Sequence, residues 1–593
     1  MIEYRIEAAE PQRHRFQVTM TVPRPQPNQR LSLPVWIPGS YLVREFARHL
    51  TPLQAHQDGA ACDIVQLDKA TWAVSTDGRK PLTVSYEVHA FDTSVRAAFL
   101  DARRGFFNGT SVFLRAEGFE AKPHRVRIGG LPKGWQVATA LQPVKVNAAG
   151  WGLYEAPDHD ELIDHPVELG TFWRGGFTAR GVRHEFVVAG ASPDFDGERL
   201  LADTRQICEA QIQFWHGRRK AAFEHYVFML NAVEDGYGGL EHRRSTALIC
   251  ARKDLPRKGR TAPSEAYTTL LGLISHEYFH TWNVKRLKPA AFDPIDLTRE
   301  NMTRMLWFFE GFTSYYDDQF LLRTKLIGKT VNQVRSTPGR LTYSVAQASF
   351  DAWTRYYRPD ENTANATVSY YTKGSLVALC LDLALRLLPV RDGHQPKLDG
   401  VMERLWRLER SITEADVAQA LSDEAQCAPD TAAHLQARSA AHSWAELLHR
   451  WTETCEELPL SELLASHGVQ WQSKAAPLPQ KLGVRLSEAG GSLKVQAVMR
   501  HGLAETAGLS AGDELLALDG WRLKRTDDLL QWHDASKKQE LLISRDQRVT
   551  PIALPRLGEH GPTPFADDIV TLALPTGAPE QAALARRKAW LRA

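Results

Sequence analysis

Residues 270–283 read Leu270-Leu271-Gly272-Leu273-Ile274-Ser275-His276-Glu277-Tyr278-Phe279-His280-Thr281-Trp282-Asn283. The apolar run ahead of the histidines predicts a buried helix over 264–283. Residues four apart on a helix project from one face, so His276 and His280 would offer two imidazoles to one metal ion. Glu277 would then stand beside that ion without ligating it, where a carboxylate can take a proton from bound water. Two imidazoles and a carboxylate are costly to bury in an apolar helix without a partner, and a divalent cation is one. The bland alternative is a pair of hydrogen-bonded core histidines with Glu277 on a solvated face.

A catalytic ion of this kind needs a third protein ligand and an open position. Asn283 and Arg286 stand three and six residues past His280, so no third histidine follows there. The candidate is Glu310, in Leu306-Trp307-Phe308-Phe309-Glu310-Gly311-Phe312. A lone carboxylate in so apolar a helix needs neutralising, and Gly311 beside it allows close approach of backbone or substrate. A structural acid paired with a base is the other reading. Lys285, Arg286 and Lys288 follow the histidine helix and are read first as cations complementing its exposed carbonyls.

Working outward, the chain has 593 residues, 43% apolar and 24% charged, enough to bury several cores. Lys and Arg number 72 against 70 for Asp and Glu, a net +2 that gives no global field for nucleic acid. The six cysteines are scattered with no Cys-x-x-Cys pair, which argues against a disulfide framework or a thiolate zinc site. Met1-Ile2-Glu3-Tyr4-Arg5 is charged from its third residue, and no apolar stretch is long enough to span a bilayer. The cytoplasm is the expected location, or the periplasm if a leader was removed. Alternating runs such as Phe16-Gln17-Val18-Thr19-Met20-Thr21-Val22 predict a β-rich domain over 1–175. Long helical periods dominate 176–474, short strands return over 475–560, and 561–593 reads as a tail with a short helix.

The motif His276-Glu277-x-x-His280 with Glu310-Gly311 downstream resembles the gluzincin metallopeptidases. Two longer strings are narrower: residues 277–289, Glu-Tyr-Phe-His-Thr-Trp-Asn-Val-Lys-Arg-Leu-Lys-Pro, and Trp36-Ile37-Pro38-Gly39-Ser40-Tyr41 running on to Arg48. Both resemble the glycyl aminopeptidase family, bacterial enzymes related to the aminopeptidase-N-like family and often ending in a PDZ domain. The resemblance implies a multidomain α+β protein. It would have a β-rich N-terminal domain, a thermolysin-like zinc metallopeptidase domain with a helical lobe, and a C-terminal PDZ-like domain. It also implies one Zn2+ per chain on His276, His280 and Glu310, with Glu277 as the base. The expected activity is removal of small N-terminal residues (Gly, Ala) from peptides by attack of a zinc-bound water.

Gly238-Gly239-Leu240-Glu241-His242 resembles the related family's Gly-x-Met-Glu-Asn strand, whose Glu holds the substrate's free amine; Leu replaces Met and His replaces Asn. A carboxylate such as Glu241 at the blind end of a cleft would pair with an ammonium and reject blocked peptides. His242, Arg243 and Arg244 read by default as solvated charge. Tyr371-Thr372-Lys373-Gly374 resembles a Tyr-x-Lys-Gly segment whose Tyr hydrogen-bonds the tetrahedral oxyanion; the adjacent Tyr370 leaves the register open by one. A phenol suits that task because it donates to developing charge while staying neutral at pH 7. His280 and Glu310 are further apart than in the aminopeptidase-N-like family, so the connection through Pro289 and Pro294 is expected as an insertion near the cleft. Leu482-Gly483-Val484 would be the carboxylate loop of the PDZ-like domain, which takes a C-terminal peptide along a sheet edge. The competing readings are a PDZ-guided endopeptidase and a peptide-binding adaptor with a vestigial metal site.

Overall fold

The structure is a computed structural model that describes residues 1–8, 10–260, 262–319, 324–390, 393–425, 441–559, 561, 563–575 and 580–591. Parts of the tail expected over 561–593 therefore lie outside the described residues, while a helix occupies Gln581–Leu591. The chain divides into two bodies, Met1–Asn301 and Met302–Ala593. The stretch 176–474, read above as one segment of long helical periods and expected from the resemblance to be the catalytic domain with its helical lobe, contributes to both.

In the first body the alternating runs form strands. Arg15–Val22 and Leu82–His89 bury every second side chain and pair antiparallel from Arg15↔His89 to Val22↔Leu82. They belong to an eight-stranded sheet in which Ile2–Glu7 runs parallel to His124–Gly129. Two four-stranded sheets complete this β-rich front. A five-stranded sheet follows, in the order Trp173–Ala179, Val182–Ala189, His225–Val233, Ser245–Ala251, Tyr237–Glu241. The helix Gly197–His216 is the crossover between its parallel strands Val182–Ala189 and His225–Val233. One apolar core runs from Ile2 and Phe16 through Val187 and Met229 to Leu240 and Ala247. That continuity is why this sheet belongs with the front sheets. Its last strand, Tyr237–Glu241, pairs with Ser245–Ala251 through Gly239↔Leu248 and Glu241↔Thr246, and its other edge is unpaired among the described residues.

Buried histidines, His159 and His184 among them, make this body acid-sensitive. Burial pushes His159 down to about 3 and His184 down to about 4. His184 accepts from the Tyr278 hydroxyl through Nε2 (2.9 Å) while Nδ1–H donates to the Val182 carbonyl (3.0 Å), a neutral tautomer. Unfolding returns both rings to an ordinary value near 6.5, so below that pH the unfolded chain binds more protons than the folded one. Their contribution to stability is complete above pH 6.5 and falls as pH drops towards 4. At pH 5 it has shrunk by about 2 kcal/mol per histidine. Thermal melts should show Tm lower at pH 5 than at pH 7, and replacing His184 with Gln should flatten that slope.

The second body begins with helices. Leu306–Gln319 packs on Tyr370–Arg386 at two glycines: a Cβ on Gly311 would stand 2.5 Å from the Cα of Gly374. The strands Gln470–Ala475 and Asp568–Ala573 pair antiparallel and bracket a six-stranded sheet with a core of its own, including Leu493, Leu515 and Ile543. Asn365 fastens that sheet to the helices, donating to the Val498 carbonyl (2.8 Å) and accepting from the Arg500 N–H (2.9 Å). No helix among the described residues is long and apolar enough to cross a membrane.

Candidate active site

The histidine helix spans Glu265–Phe279. Ser264 caps it, its hydroxyl accepting from the Tyr267 N–H (3.1 Å). It ends earlier than the pattern predicts because the chain turns after His280: the N–H of Thr281 donates to Tyr278 and that of Asn283 to Phe279, both at 3.1 Å. The turn has a purpose for the site. It brings the Asn283 carbonyl to the Nδ1–H of His280 (2.8 Å), which leaves Nε2 of that ring with its lone pair outward. That Nε2 lies 3.0 Å from Nε2 of His276. A tetrahedral zinc would separate two imidazole nitrogens by about 3.3 Å, and the 3.0 Å observed is also the length of a hydrogen bond between the rings, so the geometry accommodates both readings.

Glu277 is buried, and the edge strand explains where its carboxylate goes. A Cβ on Gly239 would lie 2.2 Å from Oε1 of Glu277, so only glycine at 239 leaves room for the acid. Glu241 is two residues further along that strand and therefore shares the face of Gly239. Its carboxylate rests on the loop 36–41: a Cβ on Gly39, where φ is +95°, would lie 2.5 Å from both oxygens. A cavity of about 70 Å³ lies beside Glu241, lined among others by Trp36, Tyr41 and Phe292. Phe292 comes from the expected insertion, which is fastened to the loop by the Trp36 indole N–H donating to the Asp296 carbonyl (2.9 Å). Gly238 faces away from Glu277: both terminal nitrogens of Arg96 lie 3.9 Å from where its Cβ would stand.

The charges around Glu241 are internal partners, not solvated ones. The backbone N–H of Arg243 donates to Asp164 (2.9 Å), its guanidinium binds Asp160 and Glu161, and Arg244 also binds Glu161. His242 is fully buried and pushed down to about 4 by that burial, against the opposing pull of Asp164. Lys285 differs from its expected role at the helix end. Its ammonium forms a buried ion pair with Asp164 (2.7 Å). Burial alone would raise Asp164; Lys285 and Arg243 overcome that and hold it well below the usual carboxylate range. Arg286 does bind helix-end backbone, donating to the Thr281 carbonyl.

In the second body Glu310 is buried in the first turns of Leu306–Gln319. Tyr371 lies in the first turn of the helix Tyr370–Arg386 of the same body, whose cap Ser369 accepts from the Thr372 N–H (3.3 Å). The Tyr371 ring stacks on Tyr356 at 5.3 Å. Burial and then the charge of Glu310 push its phenol well above the ordinary value, so it is a neutral donor at any physiological pH. Tyr370 is wholly buried and Tyr371 half-buried. In the loop 482–484, Gly483 adopts φ +74°, donates to the Gln480 carbonyl (3.0 Å) and accepts from the Met499 N–H (2.7 Å).

Sequence reasoning missed Gly39 and Arg96. Gly39 lies in the string Trp36–Tyr41, whose Pro-Gly pair reads as a turn and carries no sign of a carboxylate above it. Arg96 has no motif at all.

Residues 3–171 match the Peptidase M61 N-terminal domain model, and residues 269–377 match the M61 glycyl aminopeptidase model. A crystal structure of an aminopeptidase N family protein from Idiomarina loihiensis is 34% identical, with both chains covered in full and a TM-score of 0.87. An M1 zinc metallopeptidase from Deinococcus radiodurans is 14% identical over 77% of this chain and 94% of its own, with a TM-score of 0.42. No protein with a curated description matches.

Proposed function

We propose that this chain, which belongs to the M61 glycyl aminopeptidase family, is a zinc-dependent aminopeptidase that removes small N-terminal residues from peptides. The observation that carries the reading is the order of two carboxylates along one strand edge. Gly239 packs on Glu277 at the histidine pair, and Glu241 stands two residues on, over Gly39, beside a cavity of about 70 Å³. An ammonium at Glu241 and a scissile carbonyl near Glu277 would thus lie along one strand edge, and the small cavity suits a hydrogen or methyl side chain.

His276, His280 and Glu310 are the proposed ligands, each offering one donor atom. When bound, zinc would supply Lewis acidity to water and carbonyl. Glu277 takes a proton from the attacking water and passes it to the leaving amine. The neutral phenol of Tyr371 donates to the oxygen on which charge develops. Glu241 pairs with the free N-terminus and so excludes blocked peptides.

Gly- and Ala-arylamides and their N-acetylated forms test this directly. The free amines should be cleaved with kcat/KM at least about tenfold to a hundredfold higher, the worth of a charge-assisted hydrogen bond. Glu241→Gln should erase most of that preference. Chelation should abolish activity and added Zn2+ restore it. Equal cleavage of acetylated substrates would replace the aminopeptidase reading by an endopeptidase. The C-terminal sheet supports a PDZ-like role in one respect: the strand Val484–Ala489, entered through Leu482-Gly483-Val484, has an edge unpaired among the described residues, suited to adding a peptide strand.

A further inference from the structure

We propose that Arg96 binds the C-terminal carboxylate of the substrate, so that the site selects di- and tripeptides held by both charged ends. This rests on the aminopeptidase reading above. Arg96 sits in the loop before the strand Ala98–Leu100, and its setting is rigid. Its neighbours Val95 and Ala97 are buried, and the amide of buried Asn108 donates to both of their carbonyls, at 2.8 and 3.3 Å. The loop therefore presents the side chain between two pinned peptide groups.

The guanidinium reaches the edge strand, where Nη2 donates to the Gly239 carbonyl at 3.4 Å, a long bond. Its Nε is buried without a hydrogen-bond partner among the described residues. One long bond to a carbonyl uses little of a group with five donors, and a half-buried guanidinium without a carboxylate is an expensive arrangement unless an anion arrives. The fork of Arg suits a carboxylate, which it can take with two parallel bonds.

Length decides which anion. A peptide laid on the unpaired edge with its ammonium at Glu241 runs back towards Gly239 and Gly238. An extended chain advances about 3.3–3.6 Å per residue. Gly239 and Gly238 are two and three residues from Glu241, so the guanidinium beside them is about 7–10 Å from the amine site. That is the end-to-end length of a dipeptide or tripeptide. A longer peptide would bring an uncharged peptide group to Arg96 and forgo the pairing.

The test uses Gly-Gly-Gly and its C-terminal amide. Calorimetric titration of the zinc-loaded Glu277→Gln protein reads binding without turnover. The free acid should bind about tenfold to a hundredfold more tightly than the amide. Adding Arg96→Ala should bring the acid down to the affinity of the amide, and Arg96→Lys, which keeps the charge and loses the fork, should fall between. In the wild type the difference should appear in KM more than in kcat. Equal binding of acid and amide would overturn the assignment of Arg96 while leaving the peptidase reading standing. Discrimination between them, with no hydrolysis of either by the zinc-loaded wild type, would uphold end recognition and overturn the peptidase reading.

Discussion

Glu277→Gln should bind zinc at the wild-type stoichiometry and hydrolyse Gly- and Ala-arylamides about 10²–10⁴-fold more slowly. The two side chains have nearly the same shape, so the amide fits the space above Gly239 that the carboxylate fills now. Nothing changes at His276 or His280, whose nitrogens are oriented by the helix and by the Asn283 carbonyl. What is lost is the ability to accept a proton from water and return it to the leaving amine. Metal analysis and steady-state kinetics on the same preparation separate these effects. Turnover within threefold of wild type would remove Glu277 from the chemistry. Loss of zinc together with activity would make it part of the ligand shell instead.

The sequence made one half of this site legible because that half is local. The spacing of His276 and His280 on a helix needs only helical geometry to bring two imidazoles together as a candidate metal-binding pair, and the structure adds the turn that fixes the tautomer of His280. The front strands were equally readable, since their alternation is the burial pattern itself. Long-range contacts were not readable. Arg243 and Arg244 carry the charge of surface residues, yet they are bound to Asp160 and Glu161, some eighty positions earlier in the chain. Lys285 looks like a helix-end cation until Asp164 is placed against it. Gly39 shows the same limit for a residue with no chemistry of its own: its role is to be absent under Glu241, and only the fold states what lies above it. The division of the chain at Asn301 was also hidden, because it depends on one core joining strands as distant as Ile2–Glu7 and Ser245–Ala251.

Gly311→Ala should destabilise the protein, against the sign that helix propensity gives. Within a helix, alanine is favoured over glycine by about 1 kcal/mol, so an unobstructed exchange would raise Tm. Gly311 is obstructed. Its Cβ would stand 2.5 Å from both Cα and the carbonyl carbon of Gly374 and 2.9 Å from the Ser375 nitrogen, all backbone atoms of the facing helix. The reverse is also true, for a Cβ on Gly374 would lie 2.4 Å from the Trp307 carbonyl oxygen. Backbone cannot rotate away as a side chain tip can, so the two helices must separate. Overpacking of this kind costs about 1–3 kcal/mol, enough to outweigh the propensity gain. The position matters for catalysis as well. Glu310 precedes Gly311 directly, and Tyr371 stands one turn before Gly374, so a shift at the glycine pair moves the proposed third ligand relative to the proposed oxyanion donor. A displacement of about 1 Å is worth about a hundredfold in rate. Gly311→Ala should therefore melt several degrees below wild type and lose activity by one to two powers of ten, and Gly311→Val should lose more of both. A rise in Tm for Gly311→Ala would show that the helices are not held backbone to backbone at this crossing.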